Sequence, residues 1–205
     1  MNTTVTLPTS AKPQLLGYVG RTPGMPIRDS DTWHTPMPYI ACARTVMGSI
    51  DLDPFSSESA NAHINARYYM TPTSSALTHR WRTGHRRRRY PDGLNVWMNP
   101  PYSNPLLSQA MAALLNAWNQ GDIAQAIVLV NNGTETCWFQ QIRKVSHAVC
   151  FPTHRIAFLA PDGKTTAGNT RAQVFFYLGH DTGSQRFIEE FSQFGWCIHS
   201  TQGWK

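Results

Sequence analysis

Residues 96–103 read Val-Trp-Met-Asn-Pro-Pro-Tyr-Ser. The apolar run predicts a buried strand. It must stop at Asn99, because proline cannot donate to a sheet ladder and fixes φ. A residue before proline is pushed to extended geometry, so Asn99 and Pro100 form a stiff, non-helical lip. Three groups then stand at the carboxyl end of the strand: the Asn99 amide, the Pro100 carbonyl and, past Pro101, the aromatic face of Tyr102. Together they suit a planar exocyclic amine. The Asn99 oxygen and the Pro100 carbonyl accept its two N–H bonds, which steers the nitrogen lone pair toward an electrophile on the far side. Tyr102 stacks on the attached ring. A proline turn plugged by an aromatic is the plainer account of the same residues, and the flanking chain must decide between them.

A second constellation lies upstream. Residues 49–55, Ser-Ile-Asp-Leu-Asp-Pro-Phe, predict a short strand running into a turn, with Ser56 or Ser57 capping a helix over 58–66. Acidic residues at a strand tip, followed by the bare N–H groups of a helix start, make a place for a charged small molecule. Asp51 or Asp53 can take an ammonium or a ribose hydroxyl. An Asx-Pro turn accounts for Asp53 but not for the carboxylate two residues earlier. A metal pair is the third account, with no His or third carboxylate following at ligand spacing.

Charge adds a third signal. Lys and Arg number 18 against 12 Asp and Glu, a net charge of +6. Six arginines, Arg80, Arg82, Arg86, Arg87, Arg88 and Arg89, fall within ten residues, and without them the two signs balance. One segment, a basic insertion over 79–93, therefore carries the whole excess. A basic run is often a solvated loop; one that supplies all the net charge between two candidate motifs points to phosphates.

The elements that must position these groups follow from periodicity. Residues 1–30 hold Pro8, Pro13, Pro23, Pro26, Gly17, Gly20 and Gly24 without a period, which predicts an extended arm. Residues 31–205 then form one domain, with chain enough for a sizeable core. Thr35 is placed to cap a helix whose first position is Pro36 and whose stripe is Tyr39, Ile40, Ala43 and Met47, ended by Gly48. A helix over 105–118 shows Leu107, Met111, Leu114, Leu115 and Trp118 on one stripe. Residues 126–130 are a near-continuous apolar strand, as a sheet covered on both faces requires. After the turn 131–134, Thr134 or Thr136 caps a helix to about Val145. Strands follow over 148–151, 156–159 and 173–178, then a helix around Phe187, Ile188 and Phe191 and a strand over 196–198. The alternation predicts an α/β fold with a doubly wound, mostly parallel sheet flanked by helices. In such sheets ligands bind beyond the carboxyl ends of the strands, where Asp53 and Asn99 both fall. Four cysteines lack metal or disulfide spacing, no stretch approaches a membrane span, and the first residues show no signal-peptide pattern. A reduced, cytoplasmic protein is expected.

Several of these motifs recur together in one family. Trp33-x-Thr35-Pro36, Gly48-x-Ile50-Asp51-Leu52-Asp53-Pro54, Ala60-Asn61, Ala66-x-Tyr68-Tyr69 and Asn99-Pro100-Pro101-Tyr102-Ser103 stand in that order, followed by Thr136-x-Trp138-Phe139 and Arg155-Ile156-x-Phe158. Over about residues 31–180 the chain resembles phage-type DNA N6-adenine methyltransferases that use S-adenosylmethionine. The resemblance implies a Rossmann-like class I methyltransferase fold and DNA as substrate, with an adenine flipped out of the stack. It implies Asn99, Pro100, Pro101 and Tyr102 as the catalytic lip. Trp33, Thr35, Pro36, Asp51, Asp53, Pro54, Phe55 and Ser56 become the cofactor-binding residues. The arginine run is assigned to nucleic acid by its charge and departs from the family's short connection there, and no metal is expected. A Gly-x-Gly loop is absent after Phe55, where Ser56-Ser57-Glu58-Ser59 stands, and no acidic partner for the cofactor ribose is locatable over 77–93. Enzymes acting on RNA bases or a protein glutamine amide share Asn-Pro-Pro-Tyr. A catalytically silent nucleic-acid-binding protein is the alternative from outside the enzymes.

Overall fold

A computed structural model describes residues 32–72, 74, 76–165 and 169–200; the expected arm over 1–30 lies outside them. Helix α1 (Met37–Met47) leads to β1 (Leu52–Asp53), α2 (Glu58–Ile64) and β2 (Tyr68–Tyr69). The basic segment carries a short helix, α3 (His85–Arg89), before β3 (Leu94–Met98). Then come α4 (Leu106–Asn119), β4 (Ile123–Asn131), α5 (Cys137–Val145), β5 (Ala148–Pro152), β6 (Gln173–Leu178), α6 (Asp181–Phe191) and β7 (Gly195–His199).

The seven strands form one sheet in the order β2-β1-β3-β4-β6-β5-β7. This is an α/β fold with a mixed sheet, which corrects the expectation of a mostly parallel one. The pairs β2·β1, β1·β3 and β3·β4 are parallel, whereas β4·β6, β6·β5 and β5·β7 are antiparallel. Strands β1 to β5 therefore point one way and β6 and β7 the other. The cause lies in the connections. Parallel neighbours need a crossover, and α4 supplies one between β3 and β4. No described helix separates β5 from β6, so β6 returns antiparallel and wedges between β4 and β5. The strand expected over 156–159 does not form. Ile156 and Phe158 are buried, yet only Leu159 makes bridges, to His34 and to Thr165.

Both faces of the sheet are covered, and the period of two along each strand assigns the sides. Val96, Met98, Ala126, Val128, Val130 and Phe176 pack with Leu107, Met111 and Leu114 of α4 and Ile142 of α5. Trp97, Ile127, Leu129, Phe175 and Tyr177 pack with Ile40, Ala43 and Val46 of α1 and Phe187 and Phe191 of α6. Leu114 is fully buried, so truncating it to Ala is expected to cost about 2–5 kcal/mol. Helix ends are set locally. Gly48 closes α1 at φ 77°, a left-handed value that favours glycine, and its N–H returns to the Arg44 carbonyl. Ser57, not Ser56, caps α2 by accepting from the Ala60 N–H, and Thr136 caps α5. Thr35 is not a cap: Pro36 occupies the N-cap of α1 with no side-chain hydrogen bond there. No described helix is long and apolar enough to cross a membrane.

Candidate active site

Strand β3 is buried apart from the half-buried Asn95, and Asn99 follows at its carboxyl end. The Asn99 amide is held at both ends. Its Oδ1 accepts from the Tyr102 hydroxyl at 2.7 Å, and its Nδ2 donates to the Trp33 carbonyl at 3.4 Å. Because a carbonyl only accepts and the Tyr102 hydroxyl has a proton to give, these partners agree on which way the amide faces. No turn or loop hydrogen bond among the described residues ends on the Pro100 carbonyl. Tyr102 packs against both core clusters and meets Phe158 edge-on at 6.2 Å. Burial pushes its phenol above the ordinary tyrosine range, so the hydroxyl keeps its proton.

Trp33 reaches this place from outside the sheet. A two-way backbone pairing between His34 and Leu159 clamps its segment down, 2.7 and 2.9 Å. The Trp33 ring then lies 5.8 Å from Phe158. The next residue but one, Thr35, is 2 % exposed, and its Oγ1 has no hydrogen-bond partner among the described residues. An orphaned buried hydroxyl costs about 1–3 kcal/mol, so it marks a place built for something else to bond.

The two aspartates at the neighbouring strand divide their roles. Asp51 Oδ2 accepts from the Asn95 N–H at 3.0 Å and its Oδ1 from the Ser49 hydroxyl at 3.2 Å. That carboxylate ties β1 to β3. Asp53 is 1 % exposed and accepts from the Phe55 N–H at 3.2 Å, with no cation beside it among the described ion pairs. Desolvation pushes its pKa up to about 7, and hydrogen bonds from Ser56 and Phe55 offset only part of that. Pro54 and Ser56 are buried beside it and Phe55 half-buried, edge-on to Trp81 at 6.5 Å. An amino-acid nucleoside fits this chemistry: its ammonium and hydroxyls are the donors that a buried, uncompensated carboxylate and an orphaned threonine oxygen lack. Asp53 and Asn99 stand at the carboxyl ends of adjacent parallel strands.

On the Tyr102 side of the lip opens a cavity of about 830 Å³, within the range of small-molecule sites. Trp33, Tyr102, Asn131, Thr136, Trp138 and Arg171 are among its lining residues. Of the lip only Tyr102 is among them; Asn99, Pro100 and Pro101 do not line the cavity, and neither do Asp51, Asp53 and Ser56.

The arginine run divides too. Arg80 Nε lies 3.1 Å from both oxygens of Asp122, which is fully buried. Arg82 is 9 % exposed and donates to the Tyr90 and Pro91 carbonyls at 2.8 and 2.9 Å, with its N–H on Asp122. Arg86 donates to the Trp81 carbonyl at 2.9 Å and covers the Tyr68 ring, while Arg89 lies over Tyr90. Arg87 and Arg88 are exposed. Asp122 immediately precedes β4, at the opposite end of that strand from Asn131. Nine extended residues span roughly 30 Å, so Arg80 and Arg82 sit far from the Asn99 end of the sheet. Asp122 carries no motif, and Asn131 falls in the expected turn over 131–134. Their only sequence signal is position: a polar residue at each end of an apolar strand.

Comparison with known proteins gives the family. A family described as DNA N-6-adenine-methyltransferase (Dam) matches residues 24–192. A DNA N-6-adenine-methyltransferase of Haemophilus phage HP1 is 28% identical over 151 residues, 71% of this chain and 77% of the relative. One of Escherichia phage T1 is 25% identical over 164 residues, covering 72% of this chain and 62% of that relative. No solved structure matches. With the family match running across the lip, the aspartate tip and most of the described sheet, this chain belongs to the DNA N-6-adenine-methyltransferase (Dam) family.

Proposed function

We propose that the chain transfers a methyl group from S-adenosylmethionine to the N6 amine of an adenine flipped out of DNA. The accompanying fold reading is a doubly wound, Rossmann-like class I methyltransferase acting in the cytoplasm of a bacterial or phage-infected cell. One observation carries the reading: an Asn99 amide fixed by Tyr102 and Trp33, the two aromatic residues that line a cavity of about 830 Å³, with a buried uncompensated aspartate at the end of the adjacent strand. Asp53, Thr35, Pro36, Pro54, Phe55 and Ser56 would hold the cofactor. When bound, it supplies an electrophilic methyl group.

The chain's own residues do the rest by positioning. Asn99 Oδ1 has two lone pairs and the Tyr102 hydroxyl takes one, which leaves the second for an N–H of the target amine. The Pro100 carbonyl accepts the other N–H. With both protons held in plane, the lone pair projects away from the lip. Tyr102 and Trp33 offer aromatic faces on the cavity side, and stacking returns roughly 1–3 kcal/mol per base against the few kcal/mol of extrusion. No strong base is required, because the methylated ammonium is acidic and gives its proton to water. Most of the rate comes from fixed orientation and from oxygen dipoles facing the charge that develops on nitrogen. Arg86 to Arg89 meet the DNA backbone, with Arg87 and Arg88 the most available. Arg80 and Arg82 support that segment through Asp122.

The test is to express the chain in a host lacking adenine methylation and to map N6-methyladenine by methylation-sensitive digestion and sequencing. Methylation at a defined sequence, lost in Asn99→Ala, is the expected result. Unmodified DNA with methylated RNA or a methylated glutamine amide would move the substrate to one of the related enzymes.

A further inference from the structure

One wall of the cavity beside Tyr102 has no role in that mechanism: the carboxyl end of β4. Asn131 closes β4, is half-buried and lines the cavity. Met98 of β3 stands opposite Val128 of β4. Strand β3 stops there, whereas β4 runs three residues further to Asn131, which shares the cavity wall with Trp33 and Tyr102.

Backbone groups settle how its amide faces. Across the antiparallel pair, Asn131 stands opposite Gln173. The Ile156 N–H donates to Gln173 Oε1 at 3.4 Å, and Gln173 Nε2 donates to the Arg171 carbonyl at 2.8 Å. A backbone N–H only donates and a carbonyl only accepts, so the Gln173 amide can stand only one way round. Its Nε2 also lies 3.0 Å from Asn131, whose facing atom must therefore be the acceptor Oδ1. Asn169 bonds the same Gln173 from both of its own amide atoms and keeps it from turning. The Asn131 carbonyl is thus engaged inside the fold. Its Nδ2 has no partner among the described residues, on a side chain that lines the cavity.

We propose that Asn131 is a specificity-determining residue: its Nδ2 donates to a ring nitrogen flanking the target amine, N1 or N7 of adenine. Adenine carries an acceptor on each side of its N6 amine, and the N7 acceptor beside an N6 donor is its major-groove signature. With the amine held by Asn99 and Pro100, a donor one strand away is placed for one of those acceptors. Bases that present a C–H or N–H there leave the Asn131 donor unmatched. The proposal rests on adenine in DNA being the substrate and adds which part of its edge this chain reads.

The test uses short duplexes carrying the methylation site mapped in cells, with adenine, 1-deazaadenine or 7-deazaadenine at the target position. Ring substitution also alters the amine, so the quantity read is the effect of the variant on each substrate. Asn131→Ala is expected to lower kcat/KM roughly five- to tenfold on adenine and less than twofold on one of the two analogues. Which analogue loses the effect names the nitrogen. Asn131→Asp keeps the acceptor for Gln173 while replacing the donor, and should show the same pattern; it carries the comparison if the Ala variant fails to fold by circular dichroism. An equal factor on all three substrates overturns the role. A wild-type protein that methylates no adenine overturns the substrate reading, and this proposal with it.

Discussion

Asp53 offers the sharpest physical test, because its burial without a cation has a calculable cost. The folded-state carboxyl titrates near 7 against 3.8 in the unfolded chain, raised chiefly by desolvation. Between those pH values the folded protein binds a proton that the unfolded chain has lost. Its stability contribution is therefore complete below about pH 4 and is lost as pH rises through 7. The gap between about 7 and 3.8 corresponds to about 4 kcal/mol. Asn at this position keeps an acceptor for the Phe55 N–H and cannot ionise. Asp53→Asn should thus match wild type at pH 4 and exceed it by up to about 4 kcal/mol at pH 8. Denaturant unfolding at a series of pH values measures this, and subtracting the two curves removes other groups. His34 and His147 are among those, held below the ordinary histidine range mainly by burial, and they act in the opposite sense as pH falls. The same variant should bind S-adenosylmethionine more weakly, since a charge-assisted hydrogen bond contributes roughly 1.5–3 kcal/mol. Superimposable stability profiles would show that Asp53 is ionised in the fold at no cost, and the argument for an uncompensated carboxylate would collapse.

Asn99→Ala is expected to leave cofactor affinity nearly unchanged in calorimetry and to lower turnover by several orders of magnitude; more than about a tenth of wild-type turnover would remove Asn99 from the lip. Tyr102→Phe should lower turnover about fivefold through the lost bond to Asn99, about 1 kcal/mol, and Tyr102→Ala much further as stacking goes as well; equal losses would assign everything to the hydroxyl. Arg87→Ser with Arg88→Ser should reduce the slope of log affinity against log salt by about 1.8 on duplex DNA while sequence preference survives, and an unchanged slope would return both to solvent. Asp122→Ala should destabilise the fold by about 3 kcal/mol or more, because it leaves the largely buried Arg82 charge without its anion; a loss of DNA affinity with stability intact would contradict that structural part.

The sequence by itself determined the strand that ends at Asn99, the capped turn after Asp53 and the helices around them. These depend on proline geometry, capping chemistry and hydrophobic period, all of them local. It also supplied the family, because Asn-Pro-Pro-Tyr and Asp-Leu-Asp-Pro are contiguous. Strand direction was out of reach for β6: its apolar run reads the same in either orientation, and it is antiparallel where no helix among the described residues crosses over from β5. The arginines looked alike on the chain, yet Arg82 is locked inside by Tyr90, Pro91 and Asp122 while Arg87 and Arg88 face solvent. Burial and a partner 40 residues away decide that difference. Asp51 and Asp53 divide for the same reason: one meets the Asn95 N–H and the other meets no cation. Asn131 became visible only when β4 was laid between β3 and β6, since the orientation of its amide is set by Gln173, 42 residues on. Residue type and local spacing fixed what each group could do; long-range pairing decided which groups were left available to do it.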